Sequence, residues 1–331
     1  MPSYSGVWTL TAQYQAQGAG NWPAGPVTGL FGGNGSNTVT NVISYINISS
    51  VGNAADFGDL SVTRYASGAC SSSTRGIFAG GYDTGNAVLN VIDYVTFSTA
   101  GNATDFGDLT QSKSEIAGCS SSTRGLFAGG QTGGGGTNTP VNVIEYITIA
   151  STGNGTDFGD IAIATRIMEA CASSTRGIFS NGSQLSYSAN SNVIEYVTIA
   201  STGNATDFGD TLVAWTAGAS CSNSTRGVMS AGVGNGDVFL NTINYITIAS
   251  TGNATDFGDL IIKIASSAAC ASTTRGVWGG GSFYNAEVGS TTYYNVIQFV
   301  TIATTGDATD FGDLTATTSQ FSACSNAHGG I

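Results

Sequence analysis

The sequence predicts an all-β fold, a propeller of six blades with four antiparallel strands in each. Three observations lead there: a motif repeated six times at a spacing near 50 residues, four strand-like segments in every repeat, and a composition with 48 glycines but only 9% charged residues. A period of that size is the mark of a solenoid, propeller or array, and many short strands joined by tight turns account for the glycine. Apolar residues are 41% of the 331 positions, too many for a disordered chain. Length alone leaves the domain count open, since β-repeat folds of this size are often single units.

The four segments can be taken in order. Strand A is a run of small residues around a cysteine, as in "ACSSSTRGIFAGG", "GCSSSTRGLFAGG", "CASSTRGIFSNG", "CSNSTRGVMSAG" and "CASTTRGVWGGG". The Ser-Thr-Arg-Gly stretch that follows it is a turn, and the "GIFAGG" type of segment after the turn is strand B. Strand C is "NVISYINI", "NVIDYVTF", "NVIEYITI", "NVIEYVTI", "NTINYITI" or "NVIQFVTI". It is largely apolar on both faces, as expected of a strand covered on both sides by other sheets. Strand D is the Asp-Phe-Gly-Asp segment, whose first aspartates are Asp56, Asp105, Asp157, Asp207, Asp256 and Asp310, so the period runs between 49 and 54 residues. Four antiparallel strands per repeat, six times over, is a propeller pattern.

Asp-Phe-Gly also occurs in protein kinases, where the aspartate holds magnesium, but a kinase needs a strand lysine behind a glycine-rich loop and a His-Arg-Asp loop. Neither is present: the single histidine is His328 and the lysines are Lys113 and Lys263. Asp-Phe-Gly-Asp is expected to be an outer strand, with phenylalanine packed inward, glycine at a bend or bulge, and aspartates facing solvent or capping turns. Two carboxylates three apart on a strand face opposite ways, which disfavours a shared calcium site. The six cysteines, Cys70, Cys119, Cys171, Cys221, Cys270 and Cys324, recur once per unit in strand A. Equivalent points on a ring stand too far apart for disulfides, so they are expected to be buried free thiols.

These repeats resemble the kelch family. The glycine pairs closing strand B (Gly32-Gly33, Gly80-Gly81, Gly129-Gly130, Gly280-Gly281), the strand C tyrosine and the strand D aromatic fall in kelch order over residues 28 to 327. Asn181-Gly182 and Ala231-Gly232 depart from the pair, and phenylalanine stands where kelch repeats commonly carry tryptophan. The resemblance implies a six-bladed propeller with strand A innermost. The repeat begins at strand B and finishes at strand A, so the C-terminal strand A is expected to complete the blade made by the first strands B to D and close the ring, removing exposed sheet edges. Residues 1–27 would form an extension and residues 28–331 the propeller.

Kelch propellers of the galactose oxidase kind hold copper with histidines and tyrosines, which one histidine cannot supply, and no repeated sialidase box is present. Serine nucleophiles lack a base. Glu115, Glu145, Glu169 and Glu195 leave a carboxylate enzyme as a distant alternative. No catalytic residue, cofactor or metal is assigned. The net charge of −12, twelve of whose 21 acids lie in the repeated motif, argues against nucleic acid, which requires clustered Lys and Arg. No run is long enough for a membrane span, and no secretory signal is expected.

Binding is expected on the face carrying the B-to-C and D-to-A loops, because the A-to-B and C-to-D turns barely change between repeats while the B-to-C loops differ in every one. The variable loops carry Tyr82, Tyr187, Phe239, Phe283, Tyr284, Tyr293 and Tyr294, and the D-to-A loops add Arg64, Lys113, Arg166, Trp215 and Lys263. Aromatics among polar neighbours suit sugar faces or a protein hot spot. The extension, with Trp8, Tyr14 and Trp22, would leave the opposite face and dock onto a partner.

The extension and the wording "STRGIFAGG" with "NVIEYVTIASTGNATDFGDL" resemble structural proteins of tailed bacteriophages, particularly of aquatic bacteria. The resemblance implies a non-enzymatic virion component such as a tail fibre or appendage. It would be made in the host cytoplasm and released by lysis, anchored to other virion proteins through the extension, with its loops toward a host surface glycan or receptor. A cellular kelch-type interaction module is the alternative.

Overall fold

The structure, a computed structural model, describes residues 26–36, 38–134, 139–184 and 190–331. Among these every regular element is a strand, and the strands form eight antiparallel sheets, six of them four-stranded. Sheet 1 runs Ser322–Ser325, Thr28–Asn34, Thr40–Asn47, Ala55–Asp59, and sheet 2 runs Gly68–Ser71, Arg75–Ala79, Val91–Thr96, Thr104–Asp108. Sheet 3 is Ala117–Ser120, Arg124–Ala128, Val143–Thr148, Thr156–Asp160, and sheet 4 is Glu169–Ala172, Arg176–Ser180, Val193–Thr198, Thr206–Asp210. Sheets 5 and 6 are Ala219–Ser222, Arg226–Ser230, Thr242–Thr247, Thr255–Asp259 and Ala268–Ala271, Arg275–Gly279, Val296–Thr301, Thr309–Asp313. In each, spatial order follows the A, B, C, D order read from the sequence. The architecture is compatible with a β-propeller.

The C-to-D pairing skips one residue at the same place in all six sheets. In sheet 1 Ile43 faces Gly58 and Ser44 faces Asp56, so Phe57 is the extra residue of a bulge. That turns the phenylalanine inward, where it is 5% exposed while Asp56 stays in solvent. Its ring meets Tyr45 of strand C edge-on at 5.9 Å, and five more such pairs recur, as with Tyr146 and Phe158.

The apolar core lies between sheets. One cluster joins Cys70, Ile77, Ile92 and Phe106 of sheet 2 to Phe127 and Ile147 of sheet 3. Inner strands touch in sequence from sheet 1 to sheet 6, and that of sheet 6 touches that of sheet 1. All six cysteines are buried and free, and each points at the glycine near the start of strand B in the next sheet, which follows the turn arginine in five sheets and Thr28 in sheet 1. A methyl on Gly125 would sit 2.5 Å from the Cys70 sulfur, and one on Gly29 would sit 2.7 Å from that of Cys270. The small-residue strand and the Arg-Gly pair are thus two halves of one contact.

The outer strands are joined by a second repeated contact. The turn before strand D of one sheet lies along strand D of the sheet before it. Gly153 N–H donates to Phe106 O at 2.8 Å and Gly155 N–H to Asp108 O at 2.7 Å. Asn154 Oδ1 accepts from Asp108 N–H at 3.1 Å. Gly107, at φ 146°, lets the Gly153 carbonyl approach to where a β-carbon would be 2.5 Å away. The turn arginines supply a third contact: Arg124 stacks on Tyr146 at 4.3 Å and donates to Ile199 O of the next sheet at 2.8 Å.

Candidate binding face and central cavity

The polar residue inside strand C is buried in every sheet and ties the interface from within. Asp93 accepts from Ser61 N–H at 3.0 Å, Glu145 from Thr110 N–H at 2.6 Å and Glu195 from Ala162 N–H at 3.0 Å. Asn244 accepts from Leu212 N–H at 3.0 Å and Gln298 from Ile261 N–H at 2.7 Å. Ser44 meets the Thr315 hydroxyl at 2.8 Å. Each donor begins the D-to-A loop of the preceding sheet.

That loop also supplies a partner chosen by charge. Arg64 pairs with Asp93 at 2.7 Å and Lys113 with Glu145 at 2.8 Å, all four side chains fully buried. Where the equivalent loop position is Trp215 or Ile264, strand C carries Asn244 or Gln298 instead of an acid. Burial pulls the Arg64 and Lys113 cations down in pKa, opposed by the facing carboxylate. The position corresponding to Arg64 in the loop that precedes the sheet of Glu195 is Thr165, and burial pushes the Glu195 carboxyl up. Arg166 donates to Glu115 at 2.9 Å.

The expectation that the D-to-A loops present Arg64, Lys113, Arg166 and Trp215 to a ligand is therefore corrected: all four are buried, at most 1% exposed. A cation inside protein needs a paired anion, and the apparently isolated acids of strand C supply it for Arg64 and Lys113. Trp215 pairs in a small sheet with Val233–Gly234 and donates its indole N–H to Glu169. Tyr82 is corrected likewise, being 8% exposed, stacked on Tyr65 at 5.2 Å and hydrogen-bonded by Gln131. Lys263 is exposed. The glutamates weighed as enzyme candidates are dispersed: Glu145 and Glu195 bridge sheets, Glu115 pairs with Arg166, and Glu169 holds Trp215.

The remaining aromatics gather at one place. Phe239, in the B-to-C loop of sheet 5, meets Phe283 of sheet 6 edge-on at 5.0 Å. Phe283 and Tyr284 lie on Ser282–Asn285, which pairs with Ser290–Tyr293 in a hairpin. Tyr284 is 48% exposed, with Val238 and Val288 also exposed nearby in sequence; Phe239, Phe283, Tyr293 and Tyr294 are half-buried. Tyr187, Trp8, Tyr14 and Trp22 lie outside the described residues.

Beside this cluster opens a cavity of about 220 Å³, lined by Phe239, Val233, Ser282 and residues of all the D-to-A loops joining successive sheets. Its lining includes six left-handed residues, one per loop: Ala66, Glu115, Ile167, Ala217, Ser266 and Gln320, at φ 52–58°. Their peptides bond in series, Ile167 to Glu115, Glu115 to Ala66, Ala66 to Gln320, Gln320 to Ser266 and Ser266 to Ala217, each N–H donating at 2.6–3.0 Å. Below lies a second space of about 130 Å³ reached past Met168, Gly218 and Phe321. A third cavity is walled by all six cysteine strands and His328. His328 bonds Ser71 O at 3.1 Å, Gly329 N–H donates to Ser222 O at 2.9 Å, and burial lowers the imidazole pKa to about 4.

No family model matches the chain, and no curated protein matches it.

Proposed function

We propose that the six sheets are blades of one closed kelch-like propeller, and that the protein is a non-enzymatic structural and adhesive component of a tailed-bacteriophage virion. One observation carries the functional half. The residues common to the repeats (cysteine, Arg-Gly, the strand C tyrosine, Asp-Phe-Gly-Asp) are taken up by contacts between or within sheets, as Cys70 on Gly125 and Asn154 on Asp108 illustrate. Among the described residues, the aromatics of the differing B-to-C loops of sheets 5 and 6 gather beside the mouth cavity, with small polar residues of the D-to-A loops. A regular scaffold with variation confined to one side suits recognition.

The virion assignment rests on the resemblance of the repeat wording to phage structural proteins, and closure is supported by the pairing of Gly29 with Ser325 and Gly32 with Ser322. In this reading residues 1–27 anchor the protein to other virion proteins, and the loop face meets a host surface glycan or receptor. Immunogold labelling of purified particles tests it. Label on tails or appendages, with free protein blocking adsorption to the host, is the expected result; particles without the protein overturn the virion role.

A further inference from the structure

The series of peptide bonds around the mouth has one gap, and the gap faces an unsatisfied acid. Five of the six left-handed residues donate to the neighbouring carbonyl, but among the described residues the Ala217 N–H has no acceptor, and Ile167 O receives only the Thr216 hydroxyl, at 3.5 Å. Two residues beyond Ile167, the buried Glu169 takes the Trp215 indole N–H on one oxygen and leaves Oε2 without a partner. Its carboxyl lies close against Gly218, which lines both the mouth cavity and the space beneath it. Three polar groups thus stand incompletely used at the junction of sheets 4 and 5. A buried polar group without a partner is costly enough to call for one.

We infer that this corner of the mouth is a binding site for the terminal residue of an uncharged saccharide, with Ala217 N–H, Ile167 O and Glu169 as its polar contacts and Phe239 as its apolar wall. The inference deepens the adhesive reading above and rests on it. The chemistry selects the ligand class. Hydroxyl and acetamido groups carry donor and acceptor together, as the gap requires. An aromatic wall beside a few placed polar groups suits the alternating faces of a sugar ring. No lysine or arginine lines either space, so a sulfated, phosphorylated or sialylated sugar has no counter-charge there, and the net charge of −12 repels it further. At about 220 Å³ the cavity falls below the roughly 300–1,000 Å³ of sites that engulf drug-sized ligands, which fits one terminal residue rather than a chain held along its length.

The test is a glycan array on the full chain followed by calorimetry with methyl glycosides of neutral hexoses and N-acetylhexosamines, repeated on Phe239→Ala and Glu169→Gln. Glu169→Gln keeps an acceptor for Trp215, and the unfolding temperature of both variants is checked against the parent. Neutral glycans are expected to bind, and each variant to weaken them, Phe239→Ala roughly tenfold or more, the size of a lost apolar wall. Binding untouched by both variants but lost with Tyr284→Ala overturns the inference while leaving an adhesive loop face. Preference for acidic glycans overturns it as well. No glycan binding by protein that still blocks adsorption overturns it and turns the adhesive reading toward a protein receptor.

Discussion

At the scale of single residues, the buried charges are the most consequential feature. Asp93 and Glu145 each sit fully buried against a cation carried by the loop entering their own sheet. Replacing Lys113 with Met leaves Glu145 without its countercharge, and we expect a loss of about 3–5 kcal/mol in chemical denaturation. Adding Glu145→Gln should recover most of it, because sheet 6 already joins an apolar loop residue, Ile264, to an amide, Gln298. Glu169 makes the opposite case. Burial raises its carboxyl from the ordinary 4.5 to about 8, so between these values the unfolded chain releases a proton that the folded one keeps. Stability from this group is fully present below pH 4.5 and is lost as pH rises toward about 8, at up to about 1.4 kcal/mol per pH unit. Glu169→Gln should remove that slope. Denaturation midpoints across pH 5–8 that fall equally in parent and variant would contradict the assignment.

At the scale of elements, strand D and the turn before it form the seam between neighbouring sheets. Gly107 and Gly153 make a clean comparison. A methyl at Gly107 meets the Gly153 carbonyl, and its φ of 146° is unsuited to a side chain, whereas a methyl at Gly153 meets nothing within 4 Å. Gly107→Ala is expected to cost roughly 1–3 kcal/mol or more, and Gly153→Ala much less; equal losses of unfolding temperature would contradict the seam. The strands themselves were legible because strand C alternation, the Ser-Thr-Arg-Gly turn and the glycines ending strand B are local signals repeated in register. The D-to-A loops were not. Arg64 and Asp93 lie 29 residues apart, and a charged loop residue is ordinarily solvated, so the sequence by itself points Arg64, Lys113 and Arg166 to the surface. A signal for two of these was present: an acid inside the apolar strand C run occurs with a cation five residues after the second aspartate of the preceding Asp-Phe-Gly-Asp. The Ala217 gap had no such signal, since it depends on backbone geometry shared by five distant loops.

At the scale of the whole molecule, the interfaces between successive sheets reuse the same contacts, and the interface between sheets 6 and 1 uses them too, with Cys270 on Gly29 and Arg275 donating to Ile48 O at 3.0 Å. Sheet 1 differs in that Thr28 stands where the other five sheets carry the turn arginine, so the arginine contact is missing between sheets 1 and 2, and in that no turn connects its first two strands. There Thr28 N–H donates to Asn326 Oδ1 at 2.9 Å and Asn326 N–H returns to Thr28 O at 3.2 Å. Folding therefore brings the last strand to the first, a long-range step that local contacts cannot replace. Removing residues 320–331 should abolish cooperative unfolding in calorimetry, because sheet 1 loses its inner strand and sheets 6 and 2 lose a neighbour. A truncated chain that still unfolds in one sharp transition would contradict that dependence.

The most direct measurement of closure is the double variant Thr28→Cys, Asn326→Cys oxidised under native conditions. The six native cysteines are buried, with thiols pushed up by desolvation, and do not compete for oxidation. A closed arrangement predicts an intramolecular disulfide in nearly all molecules and a higher unfolding temperature. Monomers that stay reduced, or that link only to other chains, would contradict it.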